Sequence, residues 1–334
     1  MTRLTLRAPA LPLMPRLLPG LGLAALIAMA AMAVQRASGI GALSPMVLAM
    51  LAGIALRNTR GVAPAFGPGI AFALRPVLRA GIVLLGFRLT FTQVAEVGGP
   101  GLAVIVAVLI GTFVFTKAAG RLLGVEARLA ELIAAGSAVC GASAVLAVNT
   151  VTRARDADVA YAIACVTVFG TLSMLGFPLL ASALQMSDTQ LGLWAGASIH
   201  EVAQVIGAAF AKSDIAGQAG TVAKLSRVMM LAPLILSLGA FARRRGAEAG
   251  RAPMPLFVLG FVAAVAINST GALPDSLQPL IATTASFFLT TALAAMGLEI
   301  DLGQLRLKGL RPLILGALAW VFVSALGLGL VLAL

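Results

Sequence analysis

Apolar runs of about twenty residues recur from one end of this chain to the other, and each is long enough to cross roughly 30 Å of hydrocarbon. Helices that are apolar all round cannot hide together inside one water-soluble core of this size. Composition agrees: 60% of the 334 residues are hydrophobic and 11% are charged, where a soluble domain carries about 25%. The sequence therefore predicts an all-α membrane protein, a single polytopic domain over residues 1–334.

Eleven transmembrane helices are expected, at 17–34, 43–56, 69–87, 101–117, 130–150, 158–183, 190–211, 219–242, 254–270, 280–298 and 311–333, with Pro, Gly and charged residues punctuating the gaps. The first follows Arg3, Arg7 and Arg16 and contains Ala31-Met32-Ala33, which resembles a signal-peptidase site. The run is longer than a usual signal core, so it is read as an extra, uncleaved N-terminal span. Lys and Arg accumulate in cytoplasmic loops, which also accounts for a net charge of +12 without invoking nucleic acid. With the N-terminus inside, the cytoplasmic segments gather most of them, and the opposite side holds Arg36, Arg88, Arg153, Arg155 and Lys212.

The spans after the first divide into residues 43–183 and 190–333, two sets of five in opposite orientations. Such inverted repeats are a common basis for secondary transporters. Arg75 and Arg79 in the third span match Lys224 and Arg227 in the eighth, each pair followed by an apolar run. By this pairing the fifth and tenth spans correspond. The fifth contains Ser137, Cys140, Gly141 and Ser143, and the tenth contains Ser286, Thr290 and Thr291. Small and hydroxylated residues suit helices that break and cross, whose free amide ends hold an anion. Plain small-residue packing between continuous helices is the alternative.

Ionisable groups within spans are costly and usually face a cavity or a partner. Arg75, Arg79, Lys224 and Arg227 could form a positive lining for an anion. The alternative is snorkelling to headgroups, strongest for Arg75 and Lys224. His200-Glu201 lies at the centre of the seventh span. Glu201 could neutralise an arginine, and His200 could carry a proton coupled to transport; a structural ion pair is the alternative. Glu299 and Asp301, beside Arg306 and Lys308, read as a solvated cytoplasmic loop.

Cys140 and Cys165 both sit in apolar segments, without disulfide or metal-ligand spacing. One histidine excludes a multi-histidine metal centre. No phosphate-binding loop, paired histidine motif or nucleophile elbow is present. No cofactor and no metal are expected, and the chain does not read as an enzyme.

Four segments carry a family resemblance: Leu84-Leu85-Gly86-Phe87-Arg88-Leu89, the run Gly136 to Ala144, the run Ala197 to Val205, and Lys224-Leu225-Ser226-Arg227-Val228-Met229. From about residue 40 onward the chain resembles the YeiH-like family of bacterial inner-membrane proteins, called sulfate exporters and grouped with the cation–proton antiporter and anion transporter superfamily. The resemblance implies two inverted five-helix repeats with crossing broken helices. It places Ser137, Cys140, Gly141, Ser143, His200, Glu201, Lys224 and Arg227 in family motifs.

The reading that follows is a multi-pass inner-membrane secondary transporter of a small anion of the sulfate, sulfite or sulfonate class, exporting it with proton coupling. Arg75, Arg79, Lys224, Arg227, Ser137, Cys140, Gly141, Ser143, Thr290 and Thr291 would bind substrate, and His200 and Glu201 would couple protons. One alternative is a cation–proton antiporter using Glu201; another is a non-transporting membrane protein or intramembrane enzyme. The expected partners are a small anion and membrane lipid, not nucleic acid, and homo-oligomerisation is left open.

Overall fold

A computed structural model describes residues 13–38, 44–95, 98–244, 256–303 and 309–334, and these are helical almost throughout. Arg3, Arg7, Arg306 and Lys308 lie outside the described residues. Seven stretches are long and apolar enough to cross a membrane: 15–38, 64–86, 98–122, 156–183, 214–240, 278–299 and 310–332.

The helices are α1 (Leu13–Ser38), α2 (Pro45–Thr59), α3 (Gly67–Phe72), α4 (Leu78–Gly86), α5 (Phe91–Ala95), α6 (Gly98–Leu122), α7 (Ala127–Ala138), α8 (Ala142–Thr152), α9 (Asp156–Ala183), α10 (Asp188–Ser198), α11 (Val202–Phe210), α12 (Asp214–Met229), α13 (Leu231–Arg244), α14 (Leu256–Ser269), α15 (Gln278–Glu299) and α16 (Leu310–Leu332). A π-helical turn over Ala73–Val77 joins α3 to α4. It contains Pro76, which has no N–H for the ladder, so the chain widens there rather than continuing as regular α-helix.

The expected fifth span is not a crossing helix. Glu126 pairs with Arg155 at 3.0 Å, Arg128 donates to the Arg153 carbonyl at 3.0 Å, and Thr152 donates to Glu131 at 3.2 Å. The start of α7 and the end of α8 are therefore side by side, and the two helices form a hairpin. The expected seventh span folds back in the same way. A β-carbon on Gly220 of α12 would lie 3.2 Å from both Gly192, near the start of α10, and Ala209, near the end of α11. Helices of 12 and 11 residues reach about half of a 30 Å hydrocarbon layer at 1.5 Å per residue.

The two hairpins enter from opposite sides. The base of the first adjoins the end of α6 through Lys117–Glu131 at 2.8 Å. The base of the second adjoins the end of α9, where Lys212 donates to Ser182 at 3.4 Å. This corrects the loop assignment: Arg153 and Arg155 return to the side rich in Lys and Arg, leaving Arg36, Arg88 and Lys212 opposite. The charge asymmetry is sharper than eleven full crossings allow.

The expected break in the tenth span is also corrected. α15 runs unbroken over 22 residues, and the second interruption lies in the seventh span. The hydroxyls of Thr290 and Thr291 donate to carbonyls one turn back, of Ser286 and Phe287, so they are satisfied inside a regular helix. The glycine that matters in α15 serves packing. Gly297 faces Gly53 of α2, and a β-carbon on either would strike the other helix's backbone.

The helices pack as two groups. α1 to α4, α14 and α15 form one; α6 to α13 and α16, which include both hairpins, form the other. The groups meet chiefly where α11 lies against α15 and α2.

Candidate functional site

The hairpin tips meet in the protein interior. The first tip, Val139 to Gly141, is an abrupt reversal: Gly141 has φ +64, a conformation that costs a side-chain-bearing residue. A β-carbon there would fall on the Glu201 carboxylate of the second tip. At the second tip, Ile199 and Glu201 are extended, and Glu201 caps α11. Its backbone N–H donates to Gln204 Oε1 at 3.1 Å, while Gln204 Nε2 donates to the Thr167 carbonyl at 2.9 Å.

Electrostatics at the tips are strictly sorted. The C-terminal ends of α7 and α10 expose carbonyls and carry partial negative charge. Lys224 donates to the Val139 carbonyl at 2.8 Å and the Ile199 carbonyl at 2.6 Å. Arg227 donates through Nε to Ala138 at 2.6 Å, through Nη1 to Ile199 at 3.2 Å, and through Nη2 to Ser137. Both cations are fully buried. Each such bond is worth about 1.5–3 kcal/mol. They offset part of the cost of placing two cations in a membrane. The N-terminal ends of α8 and α11 carry partial positive charge, and there Glu201 accepts from the Ala142 amide at 2.6 Å.

A cavity of about 790 Å³ lies between the two helix groups, with the tips at its inner end. Cys140, Ala142, Ser143, Glu201 and Val202 line that end. Arg75 and Arg79 line the wall, and Arg57, Glu299 and Asp301 lie toward the side rich in Lys and Arg. The Arg79 guanidinium sits 5.7 Å from the Phe257 ring centroid. Arg57 pairs with Asp301 at 3.4 Å.

The structure thus brings Arg75, Arg79, Cys140, Ser143 and Glu201 to one cavity, with Gly141 shaping the tip beneath it. Lys224 and Arg227 do not join Arg75 and Arg79 as a positive lining; they turn to carbonyls behind the tips. Ser137 is buried, and its carbonyl serves Arg227. Thr290 and Thr291 do not line the cavity. His200 is fully buried outside the cavity lining, and neither ring nitrogen has a hydrogen-bond partner among the described residues.

Three groups escaped the sequence reading. Glu299 and Asp301 line the cavity while remaining solvated, Glu299 being exposed and Asp301 partly exposed. Gln204 braces the second tip, and its signal was the Glu201-x-x-Gln204 spacing of a capping box.

Comparison with known proteins places the chain among bacterial membrane proteins. The family model described as Conserved hypothetical protein 698 matches residues 19–316. The UPF0324 membrane protein of Bordetella bronchiseptica is 39% identical over 300 residues, covering 86% of this chain and 93% of the relative. The UPF0324 inner membrane proteins YeiH of Salmonella typhi and Escherichia coli K12 are each 36% identical, covering 92% of this chain and 92% of the relative. No solved structure matches the chain. With the family model spanning most of its length, the chain belongs to the Conserved hypothetical protein 698 (UPF0324) family and is a multi-pass inner-membrane protein.

Proposed function

We propose that this protein is a secondary transporter, not an enzyme, and that it moves a small anion of the sulfate, sulfite or sulfonate class outward with proton coupling. The observation that carries the reading is the meeting of two opposed hairpins at the inner end of a cavity open toward one side. Interrupted helices that meet at mid-depth are a recurrent way to build a solute site inside a membrane. The cavity volume, about 790 Å³, suits a small solute with its water.

The anion preference rests on the cavity wall and floor. Arg75 and Arg79 face the cavity, and the positive ends of α8 and α11 point at its floor. Glu201 now occupies the place of an anion at those ends. An ionised Glu201 competes with substrate for the Ala142 amide through a charge-assisted bond; a protonated Glu201 is the weaker acceptor and adds no repelling charge. Anion and proton are thereby bound together, and Glu201 takes the proton-coupling role. His200, enclosed away from the cavity, does not.

The competing reading is a cation–proton antiporter, favoured by the position of Glu201, Glu299 and Asp301 on the same cavity. Exchange assays in proteoliposomes separate the two. Radiolabelled sulfate, sulfite and alkanesulfonates are offered on one side, and Na⁺ or K⁺ under a pH gradient on the other. Anion flux above that of empty liposomes, lost in Arg79→Gln, supports the proposal. Cation–proton exchange without anion flux overturns it.

A further inference from the structure

Four carbonyl oxygens, of Ser137, Ala138 and Val139 on one hairpin and Ile199 on the other, converge behind the tips. They come from the C-terminal ends of interrupted helices. In membrane transport proteins, such ends and the unwound carbonyls beside them coordinate a dissolved monovalent cation. Here they are met by side chains of one helix, Lys224 and Arg227, a single turn apart on α12.

We propose that the hairpin tips form a monovalent-cation site that the protein fills with its own Lys224 ammonium, so that the tips close without Na⁺. The ammonium is a compact charge with donors that turn to suit their acceptors. It bridges the two hairpins, taking Val139 from one and Ile199 from the other, which is the task a shared metal ion would perform. Arg227 secures the carbonyls that Lys224 does not reach and shares Ile199 with it. The charged and titratable neighbours of Lys224 are Arg227 on its own helix, Cys140 on the first tip, and His200 and Glu201 on the second. Cys140 and Glu201 also line the cavity, so a small cation entering from it would pass between them to reach the carbonyls.

Removing the ammonium leaves the Val139 carbonyl without its lysine donor and the Ile199 carbonyl with only the longer bond from Arg227, at two negative helix ends, with the space of the lysine side chain vacant beside them. Such a site is suited to a small monovalent ion and closed to a bulky one. This inference does not depend on which solute the cavity carries.

The test compares thermal unfolding of the purified wild type and Lys224→Ala in chloride salts of Na⁺, methylammonium and choline at equal ionic strength. The wild type should unfold at the same temperature in all three. Lys224→Ala should unfold several degrees higher in Na⁺ or methylammonium than in choline. A wild type stabilised selectively by Na⁺ overturns the proposal, as does a folded Lys224→Ala indifferent to all three cations. Should Lys224→Ala be unrecoverable in choline, recovery in methylammonium is the supporting result, and failure in every salt is the overturning one.

Discussion

The Glu201 carboxylate of one hairpin accepts a 2.6 Å hydrogen bond from the Ala142 amide of the other. A side-chain charge thus joins two segments that share no continuous helix. The contact sits on the positive ends of α8 and α11, while Lys224 and Arg227 occupy the negative ends of α7 and α10. Each helix end created by an interruption faces charge of the opposite sign.

That contact requires Gly141. Its φ of +64 and the carboxylate lying where a β-carbon would go leave no room for a side chain. Gly141→Ala is expected to destabilise the protein by about 1–3 kcal/mol through backbone strain alone, and by more through displacement of Glu201. A lowered unfolding temperature in detergent is the readout. Gly61→Ala, at φ +74 with open space where its β-carbon would go, is the control that isolates the strain term.

The proton-coupling role is tested by two neighbouring substitutions. Anion affinity in the wild type should fall as pH rises, because ionised Glu201 competes for the Ala142 amide. Glu201→Gln should bind anion with little pH dependence, and His200→Gln should keep the wild-type profile. Binding titrations from acidic to alkaline pH distinguish them; a flat profile in the His200 variant returns the proton to the imidazole.

Arg79 is the wall cation held only by an aromatic ring among the interactions described for it, at 5.7 Å from Phe257. Arg79→Gln should weaken anion binding roughly tenfold at every pH, equivalent to about 1.4 kcal/mol. Arg227→Gln should instead lower the unfolding temperature sharply, because it strips donors from buried carbonyls. Equal effects of the two on binding and stability would contradict this division of labour.

Much of the class and several site residues were legible in sequence, and the reasons differ by residue. Twenty apolar residues in a row announce a membrane helix whatever their neighbours do. An isolated His-Glu at the centre of such a run announces a functional position, but not the helix break there, which the sequence places in the tenth span instead. The sequence pattern cannot separate a crossing helix with a break from a hairpin, because both place a polar break between two apolar halves. The distinction lies in long-range contacts such as Glu126 with Arg155, which hydropathy does not encode. Hydroxyl content misled for Thr290 and Thr291, since a threonine can satisfy itself on the preceding turn of an intact helix. Lys224 and Arg227 stand out in the sequence as charges within a span, with snorkelling the stronger alternative for Lys224, but their acceptors are backbone carbonyls, which every sequence has and none displays.

The hairpins make a topological prediction that eleven crossings do not. Arg155 follows the first hairpin and Lys212 follows the second, so the two lie on opposite sides, whereas eleven crossings put both outside. Arg155→Cys and Lys212→Cys, each with Cys140 and Cys165 replaced by Ala, should react with an impermeant maleimide from opposite faces of membrane vesicles. Labelling of both from one face would rule out the hairpins.

Arg88 and Asp214 define the last prediction. They pair at 3.2 Å on the side poor in Lys and Arg, with side chains 25% and 64% exposed. Arg88 follows α4 in one helix group, and Asp214 begins α12 in the other. A second, smaller cavity of about 230 Å³ adjoins the pair, lined by Met46, Phe210 and Leu289 among others. The large cavity opens toward the opposite side, so this ion pair lies where the groups would separate if the site were to face outward. An exposed pair contributes only about 0–1 kcal/mol, weak enough to break and reform during a cycle. Arg88→Ala should therefore leave the unfolding temperature nearly unchanged while exposing Ser143→Cys, on the cavity floor, to an impermeant thiol reagent from the outer side. Bridging Arg88→Cys to Asp214→Cys with a bifunctional thiol reagent should hold the outer side shut and stop flux in proteoliposomes, with release by a cleavable bridge restoring it. Full flux in the bridged protein would show that the two groups do not part at this contact.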